Sequence, residues 1–560
     1  MPVVTVSEQA PRATADDAAP RAGVRRSLAA LVGLLAAAVA LGVAELVAAV
    51  VGPASSPVVA VGDAAITLTP EPVKAFAIRT FGENDKIALI AGTLLVIALY
   101  ALLVGLVGLR NRVLGIAGIA LFGAVGVVAA VTRPSAGVGN GLPALVGTLA
   151  GVIALMALLA PLQSRTAASP APAEEGPAPV PSEGGLAGRL RDVLGAGDRK
   201  GAGMDRRRFF LTSGVAAGVA VVAGGGGRLL QRRFDVAGDR DDLVLPRPAS
   251  PAPALPRGAD LARDVEGLTP LLTPNRDFYR VDTAIAVPQI RPADYRLTMT
   301  GKFDSPRTYT LQDLLDRDDV IERDITLTCV SNEVGGKLAG TARWLGVPLG
   351  ALLRENGVRS DSDQLVCTSQ DGMTIGAPTR SALEVEDAML AFGMNGEPLP
   401  VEHGFPVRML IPGLYGYVSA CKWLTRIEAT TFDAFDPYWV ERDWAAQAPI
   451  KVFSRIDTPA PLRAFPAGRR PIAGVAWAQT RGIARVEVKV DDEDWVEAEL
   501  SPEVDADLWR QWVLTYDFPA GQHAVAVRAT SADGETQTDE RARPFPNGAS
   551  GWHSIQVIAR

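Results

Sequence analysis

Hydrophobic and polar positions follow two regimes along this chain. Up to about residue 230 the apolar residues come in unbroken runs: Ser27 to Gly52, Ile87 to Gly108, Val113 to Val131 and Leu142 to Leu162. Each is close to the roughly 20 residues that a helix needs to cross a bilayer. Beyond about residue 265 the apolar stretches shorten. DITLTCV (324–330), DQLVCTS (363–369) and PVRMLIP (406–412) predict strands, and they alternate with helical stretches such as LQDLLDR and LGALLRENG; residues 265–445 therefore read as an α+β domain. From 446 onward the helical signal fades. ARVEVKVDD places Val486, Val488 and Val490 on one face, HAVAVRA and HSIQVIA repeat the alternation, and an acidic turn at 491–494 joins two strands. Residues 446–560 thus predict an immunoglobulin-like β-sandwich. The fold class expected is multi-domain: an α-helical transmembrane bundle over 27–162, then the α+β domain, then the sandwich.

Positive charge orients the apolar runs. Arg21, Arg25 and Arg26 precede the first, Arg110 and Arg112 fill the turn between the second and third, and Arg165 follows the fourth. These sites are expected on the cytoplasmic side, together with a tail over 1–26 and a Pro/Ala/Glu/Gly-rich linker over 163–205. The loop 53–86, carrying Asp63, Glu71, Glu83 and Asp85, then faces outward. Residues 206–230 open with RRRFFLTSG and continue as a fifth apolar run, Phe209 to Gly227. Arg207 and Arg208 followed by Phe210 and Leu211 read as a twin-arginine export signal that doubles as a fifth membrane helix. Such a signal sends an already folded domain outward, so the expectation is a multi-pass protein of the cell membrane with everything after Arg233 outside the cytoplasm. Within the first run Glu45 is anomalous, because a carboxylate is costly in a bilayer. It reads as a neutral or partner-paired carboxyl near the outer end of its helix.

Composition narrows the chemistry. A formal charge of −7 over 560 residues leaves no basic surface for nucleic acid. Cys329, Cys367 and Cys421 match no zinc spacing. His403, His523 and His553 all lie in the second half, and without a histidine in any membrane run the chain holds no haem b of its own. Cys329 stands where a strand, ITLT, meets a glycine-containing turn, SNEVGG. On the residues alone it is equally a buried core thiol and a ligand for a soft metal. His403, Arg408 and Lys422 lie on loops within MNGEPLPVEHGFPVRMLIPGLYGYVSACKW (394–423), three donors suited to gripping a phosphate and a polar heterocycle. The neighbouring Phe405, Pro406, Leu410 and Ile411 predict that they are buried.

The run H-G-F-P-V-R, the P-G-x-x-G and K-W that follow it, and the M-N-G-x-P-L-P before it resemble the molybdopterin-binding segment of the sulfite oxidase family. T-L-T-C-V-S-N and the later G-T-A-R-W-L-G-V-P-L resemble the segment around that family's molybdenum-ligating cysteine. The final sandwich resembles the family's dimerisation domain, and the apolar half resembles the fused anchors of bacterial membrane-bound members. The resemblance implies a molybdenum-molybdopterin cofactor, with Cys329 as metal ligand and Cys329, Arg280 and Trp444 as catalytic residues. It further implies that His403, Arg408 and Lys422 hold the pterin and its phosphate, that Tyr279 and Arg280 of NRDFYRVDT lie beside the cofactor, that Asn332 follows in the cysteine turn, and that Asp371 bonds the pterin edge. The implied activity is oxygen-atom transfer on a small sulfur-oxo substrate, served by a separate electron carrier, a cytochrome or a quinone, in a homodimer formed through the C-terminal domain.

Two departures bear on the substrate. Sulfite oxidases follow the cysteine with paired arginines in C-A-G-N-R-R, where this chain has Glu333 and Val334; their pocket tyrosine in R-D-Y is here Trp444, after Arg442 and Asp443. Exchanging a cation for valine beside a new carboxylate weakens the hold on a small dianion. Two alternatives therefore accompany the sulfite-oxidase-like reading: a reductase of S-oxides or N-oxides, similar to the methionine-sulfoxide reductase branch, and a cofactor-free, membrane-tethered binding module.

Overall fold

A computed structural model of the chain describes residues 22–163 and 206–560, apart from several positions within 71–84 and residues 134–135. Most of the expected tail over 1–26 and nearly all of the expected linker over 163–205 lie outside the described residues. The chain divides into two compact units, Met1–Phe234 and Asp235–Arg560.

The first unit is helical: α1 (Ala22–Val51), α2 (Pro57–Leu68), α3 (Asp85–Arg110), α4 (Arg112–Val131), α5 (Leu142–Gln163) and α6 (Arg206–Gln231). All but α2 are long and apolar enough to cross a membrane by length and composition. The segment expected as an outward loop contains α2, because VVAVGDAAITL is apolar throughout and Pro57 stands in the first turn, where a missing N–H costs nothing. Helix α1 starts earlier than its apolar run and takes in Arg25, whose guanidinium donates to the carbonyl of Leu162 at the end of α5. The cation thereby meets one of the carbonyls that a helix C-terminus leaves unpaired.

Small residues let these helices meet backbone to backbone. A Cβ on Gly33 of α1 would overlap the Ala101 carbonyl of α3, and one on Gly227 of α6 would lie 2.7 Å from the Glu45 carbonyl carbon. That second approach brings Gln231, the last residue of α6, onto Glu45: Gln231 Nε2 donates to the carboxylate at 2.9 Å and to the Glu45 carbonyl at 3.1 Å. Ser56 Oγ donates to the other carboxylate oxygen at 2.5 Å. Glu45 is buried, so the anomalous carboxylate is partner-paired.

The second unit is mostly β, where the sequence led us to expect α+β; its helical stretches are short connectors, of which Leu349–Glu355 has seven residues. One sheet runs in the order β2 (Thr308–Thr310), β1 (Arg296–Gly301), β10 (Leu424–Thr430), β5 (Gln364–Ser369), β6 (Thr374–Pro378). A second runs β3 (Ile321–Thr328), β4 (Ala339–Pro348), β7 (Met389–Met394), β8 (Glu397–Pro398), with β9 (Arg408–Leu410) also paired to β7. Leu297, Leu365, Leu390, Phe392 and Ile427 share one core with Cys367 and Cys421, which are therefore structural thiols.

Two further sheets face each other over the C-terminal part. One contains β11 (Phe453–Thr458), β13 (Gly468–Trp477), β17 (Arg510–Phe518) and β16 (Glu499–Leu500); the other contains β12 (Ala464–Phe465), β19 (His553–Ala559), β18 (Gly521–Ser531), β14 (Ile483–Val490) and β15 (Val496–Glu497). Val486, Val488 and Val490 all point into the shared core, as their spacing predicts. This part is joined to the first two sheets by a third apolar cluster containing Val330, Tyr415, Trp444, Phe453 and Trp509. Trp509 fixes the seam: its amide donates to Thr326 Oγ1 at 2.7 Å and its indole N–H to the Leu271 carbonyl at 2.8 Å.

For the helical unit, replacing one partner of a buried hydrogen-bonded pair costs about 1–3 kcal/mol. Glu45→Ala and Gln231→Leu should each lower the stability of the detergent-solubilised chain, and the double variant should fall short of the sum. Strictly additive losses in thermal unfolding would mean that the two side chains are not coupled.

Candidate active site

Three chain segments converge on the site. Strand β3 ends at Thr328 and delivers Cys329 into the turn that leads to β4. Residues 275–282 bring Phe278, Tyr279, Arg280 and Asp282, and the stretch from His403 through β9 to Lys422 brings the basic groups. Cys329 is buried. Burial pushes its thiol pKa up, against the pull of hydrogen bonds from the Ser331 backbone and side chain and of the Lys422 charge.

His403 is buried, and its Nε2 lies 3.3 Å from the carbonyl of Asn275. A carbonyl only accepts, so Nε2 carries the proton and Nδ1 is the lone-pair nitrogen. Its pKa is pushed down to about 3 by burial first, and then by the charges of Arg408 and Lys422, so the ring is neutral. Arg408, also buried, donates from Nη1 to the His403 carbonyl at 3.0 Å and lies over the Trp344 ring at 5.0 Å. Burial lowers its pKa to about 10. Lys422 Nζ donates to Asp282 Oδ2 at 2.6 Å and to the Glu402 carbonyl at 3.2 Å. Desolvation lowers its pKa to about 8, with Asp282 opposing. The Tyr279 phenol is raised by burial and by Cys329, and lowered by Arg408.

Of the residues expected at the site, Cys329, Tyr279, Arg280, His403, Arg408 and Lys422 come together within one another's electrostatic reach. Asn332 sits in the cysteine turn, accepting from the Leu338 amide at 2.9 Å while its own amide donates to the Cys329 carbonyl at 3.0 Å. Asp371 lies in the turn after β5, accepts from the Met373 amide at 3.2 Å and acts electrostatically on Cys421. Trp444 stands in a separate aromatic group with Tyr417, Trp439 and Phe545.

Sequence reasoning missed two members. Asp282 takes both Lys422 and, at 2.8 Å, Arg280 Nε; the motif R-V-D two residues past Arg280 was its only signal. Phe278 stacks on Tyr279 at 5.3 Å and meets His403 and Trp344 edge-on at 5.5 and 5.8 Å, so it fixes the orientation of the ring group. It reads in the sequence as one more aromatic residue.

The donors are not all used within the chain. Among the described residues, Arg408 Nε, Asn332 Nδ2, Thr328 Oγ1 and Ser369 Oγ are buried without a partner. Such groups are rare in native interiors and point to something bound. Asp282 neutralises part of the charge of Arg280 and Lys422, while Arg408 bonds a neutral carbonyl and leaves Nε unspent, so the ligand that fits is anionic and rich in acceptors. A molybdopterin, with a phosphate and a polar ring system, meets both requirements, and the buried Cys329 would be a soft ligand for its metal.

Residues 284–439 match the family model for the oxidoreductase molybdopterin binding domain. The chain is similar to the mitochondrial sulfite oxidases of Mus musculus and Homo sapiens, each 29% identical, with 51% of this chain aligned to 61% of theirs. It is also similar to the NADH nitrate reductase of Solanum lycopersicum, at 27% identity over 45% of this chain and 35% of that protein. Among solved structures, the sulfane dehydrogenase SoxCD from Paracoccus pantotrophus overlays on 51% of this chain and 81% of its own, with a TM-score of 0.46 and 23% identity. The chain spans about three-fifths of the length of the curated sulfite oxidases it matches. A buried thiol at a strand end, a cationic cradle with unspent donors, and the match over 284–439 converge: the chain carries a molybdopterin-binding oxidoreductase domain similar to that of the sulfite oxidases.

Proposed function

We propose that this chain is a membrane-anchored, extracytoplasmic oxidoreductase that transfers an oxygen atom to or from a small sulfur-oxo or related substrate. The observation that carries this reading is the cradle itself: Arg280, Arg408, Lys422 and His403 gathered beside Cys329, with Arg408 Nε unspent. The cofactor, when bound, supplies two-electron oxygen-atom transfer; the chain binds, orients and sets charge. Arg408 and Lys422 take the anionic phosphate. Neutral His403 offers Nδ1 to a pterin N–H. Tyr279, kept protonated by burial, is a donor beside Cys329. Asn332, in the cysteine turn, keeps a buried Nδ2 donor without a partner, while Asp371 is the acceptor assigned to the pterin edge. Electrons leave or enter through a separate carrier, a cytochrome or a quinone, and the β-sandwich carries the homodimer contact. Anchoring rests on the five apolar helices, and the outward placement on Arg207 and Arg208 at the start of α6.

A second reading, reduction of S-oxides or N-oxides, is favoured by one observation. Trp444 is 8% exposed, and its indole N–H has no partner among the described residues. Tyr417, Trp439 and Phe545 surround it with ring centroids at 5.8, 6.1 and 5.3 Å. One unspent neutral donor among aromatic faces suits a dipolar S–O group on an apolar arm; a bare dianion needs cations, and the cysteine turn offers Val334 instead.

Purified chain should contain molybdenum in stoichiometric amount; its absence would favour the cofactor-free module. Cys329→Ala should keep the pterin through its other contacts and lose turnover on sulfite and S-oxides alike, and wild-type rates in that variant would overturn the ligand assignment. Trp444→Phe keeps an aromatic ring and removes the donor, so KM for an S-oxide should rise about tenfold, the worth of roughly one hydrogen bond, with sulfite kinetics unchanged, while the lost indole volume lowers the melting temperature somewhat. An unmoved KM would leave the second reading without its donor. Arg207→Lys with Arg208→Lys should leave α1 to α5 inserted and strand residues 235–560 in the cytoplasm, measured by protease access in spheroplasts; normal export would reduce the pair to a topology signal.

A further inference from the structure

We propose that His553, on the last strand of the C-terminal sandwich, is a positioning residue for the cysteine turn, fixing the direction of Cys329 Sγ through Gly335. The proposal rests on the reading of Cys329 as metal ligand. The turn from Cys329 to Leu338 is closed by its own bonds: the Cys329 amide donates to the Leu338 carbonyl at 2.9 Å, the Asn332 amide to the Cys329 carbonyl at 3.0 Å, and the Gly336 amide to the Glu333 carbonyl at 2.8 Å. Those bonds set the turn's shape. Its attitude toward the rest of the unit is set from outside, where Gly335 and Gly336 meet the sandwich.

Two groups make that contact. Arg455 Nη1 donates to the Gly336 carbonyl at 3.0 Å, while Nε is held by Asp457 at 2.6 Å and Nη2 by Thr269 Oγ1 at 3.0 Å. All three nitrogens are used, so the guanidinium has one pose. His553 Nδ1 accepts from the Ile456 amide at 2.9 Å, which puts the proton on Nε2 and turns Nε2 away from β11. The ring atoms Nε2, Cδ2 and Cε1 then lie where a Cβ on residue 335 would have to be. Gly335 has φ +78, a conformation that glycine adopts freely. Only glycine satisfies both the backbone angle and the ring. The residues that grip the turn, Arg455 to Asp457, sit at an irregularity in the β11–β13 pairing between Ile456 and Thr458, a device that re-aims side chains locally.

The contact is an extended lever on one atom. A metal ligand held a few tenths of an ångström out of place loses much of its effect, and the strand side of the turn is fixed by β3. The sandwich side is fixed by one imidazole and one guanidinium. The C-terminal part is then required at the metal centre of its own chain, whatever its role between chains.

His553→Asn separates this from ordinary packing. Asparagine Oδ1 can still accept from the Ile456 amide, as Nδ1 does, but no ring reaches Gly335. In full-length protein from molybdate-free cells, maleimide labelling of Cys329 is compared with labelling of Cys367 and Cys421, which are buried in another core and report global opening. We expect the Cys329 rate to rise about tenfold relative to both, as for a local opening that leaves the rest folded. Gly335→Ala, which drives a Cβ into the ring, should move the ratio the same way. In molybdenum-loaded protein, His553→Asn should release metal faster on dialysis. An unchanged ratio in both variants, or equal acceleration at all three cysteines, overturns the proposal. Should the wild-type chain take up no molybdenum, the ligand reading fails on its own, while the labelling ratio still tests the brace.

Discussion

The site depends on an imbalance of buried charge. Around Cys329 and His403 stand Arg408, which is buried, and Lys422, which shares the Asp282 carboxylate with the more exposed Arg280. Desolvation works against the first two, lowering Arg408 to about 10 and Lys422 to about 8. Taking such groups out of water is tolerated when an opposite charge and a full set of hydrogen bonds replace the solvent. One carboxylate replaces part of it, and Arg408 Nε remains unspent. The fold therefore stores an electrostatic demand that an anionic ligand with many acceptors satisfies. The neutral state of His403 follows from its burial first, with the neighbouring Arg408, Lys422 and Arg280 making a further charge still less favourable.

That imbalance explains what could be read from the sequence. His403, Arg408 and Lys422 fall within twenty residues in a loop-rich, otherwise apolar stretch, so their convergence was legible locally, and Cys329 was marked by the strand and turn around it. Period-two alternation gave the sandwich strands, with HSIQVIA matching β19 residue for residue. Asp282 was not legible because the pairing that ties it to the basic loop, with Lys422, spans 140 residues. The bond from Arg455 to Gly336 spans 119 residues, and that from His403 to Asn275 spans 128. Local periodicity carries no information about such pairings. The overestimate of helix in 265–445 has a local cause: LQDLL and LGALLRE do form helices, but they are connectors between strands and too short to make a layer.

The helical unit repeats the pattern on a different scale. Five apolar runs were legible by length, and Glu45 by being out of place; its partner Gln231 was not, lying 186 residues away at the end of the helix that carries Arg207 and Arg208. The pairing gives the carboxylate a structural use. A bond donor at the last residue of α6 and a glycine four residues earlier let that helix lie against α1 at backbone distance, so a segment that begins like an export signal ends as a packed member of the bundle. A signal that was only an address would need neither feature.

The substrate question turns on the two sides of the cysteine turn. In the proposed reading, Arg408 and Lys422 on one side of it would be spent on the cofactor. On the outer side the turn presents Glu333 and Val334, and the aromatic group around Trp444 packs in the same apolar cluster as Val330, Val334 and Tyr415. A small dianion approaching from there would meet a carboxylate and hydrocarbon. In the proposed reading that positive charge serves the pterin side, and the aromatic group then offers substrate one indole N–H and polarisable ring faces, which would suit a neutral oxo compound with an organic arm better than a dianion.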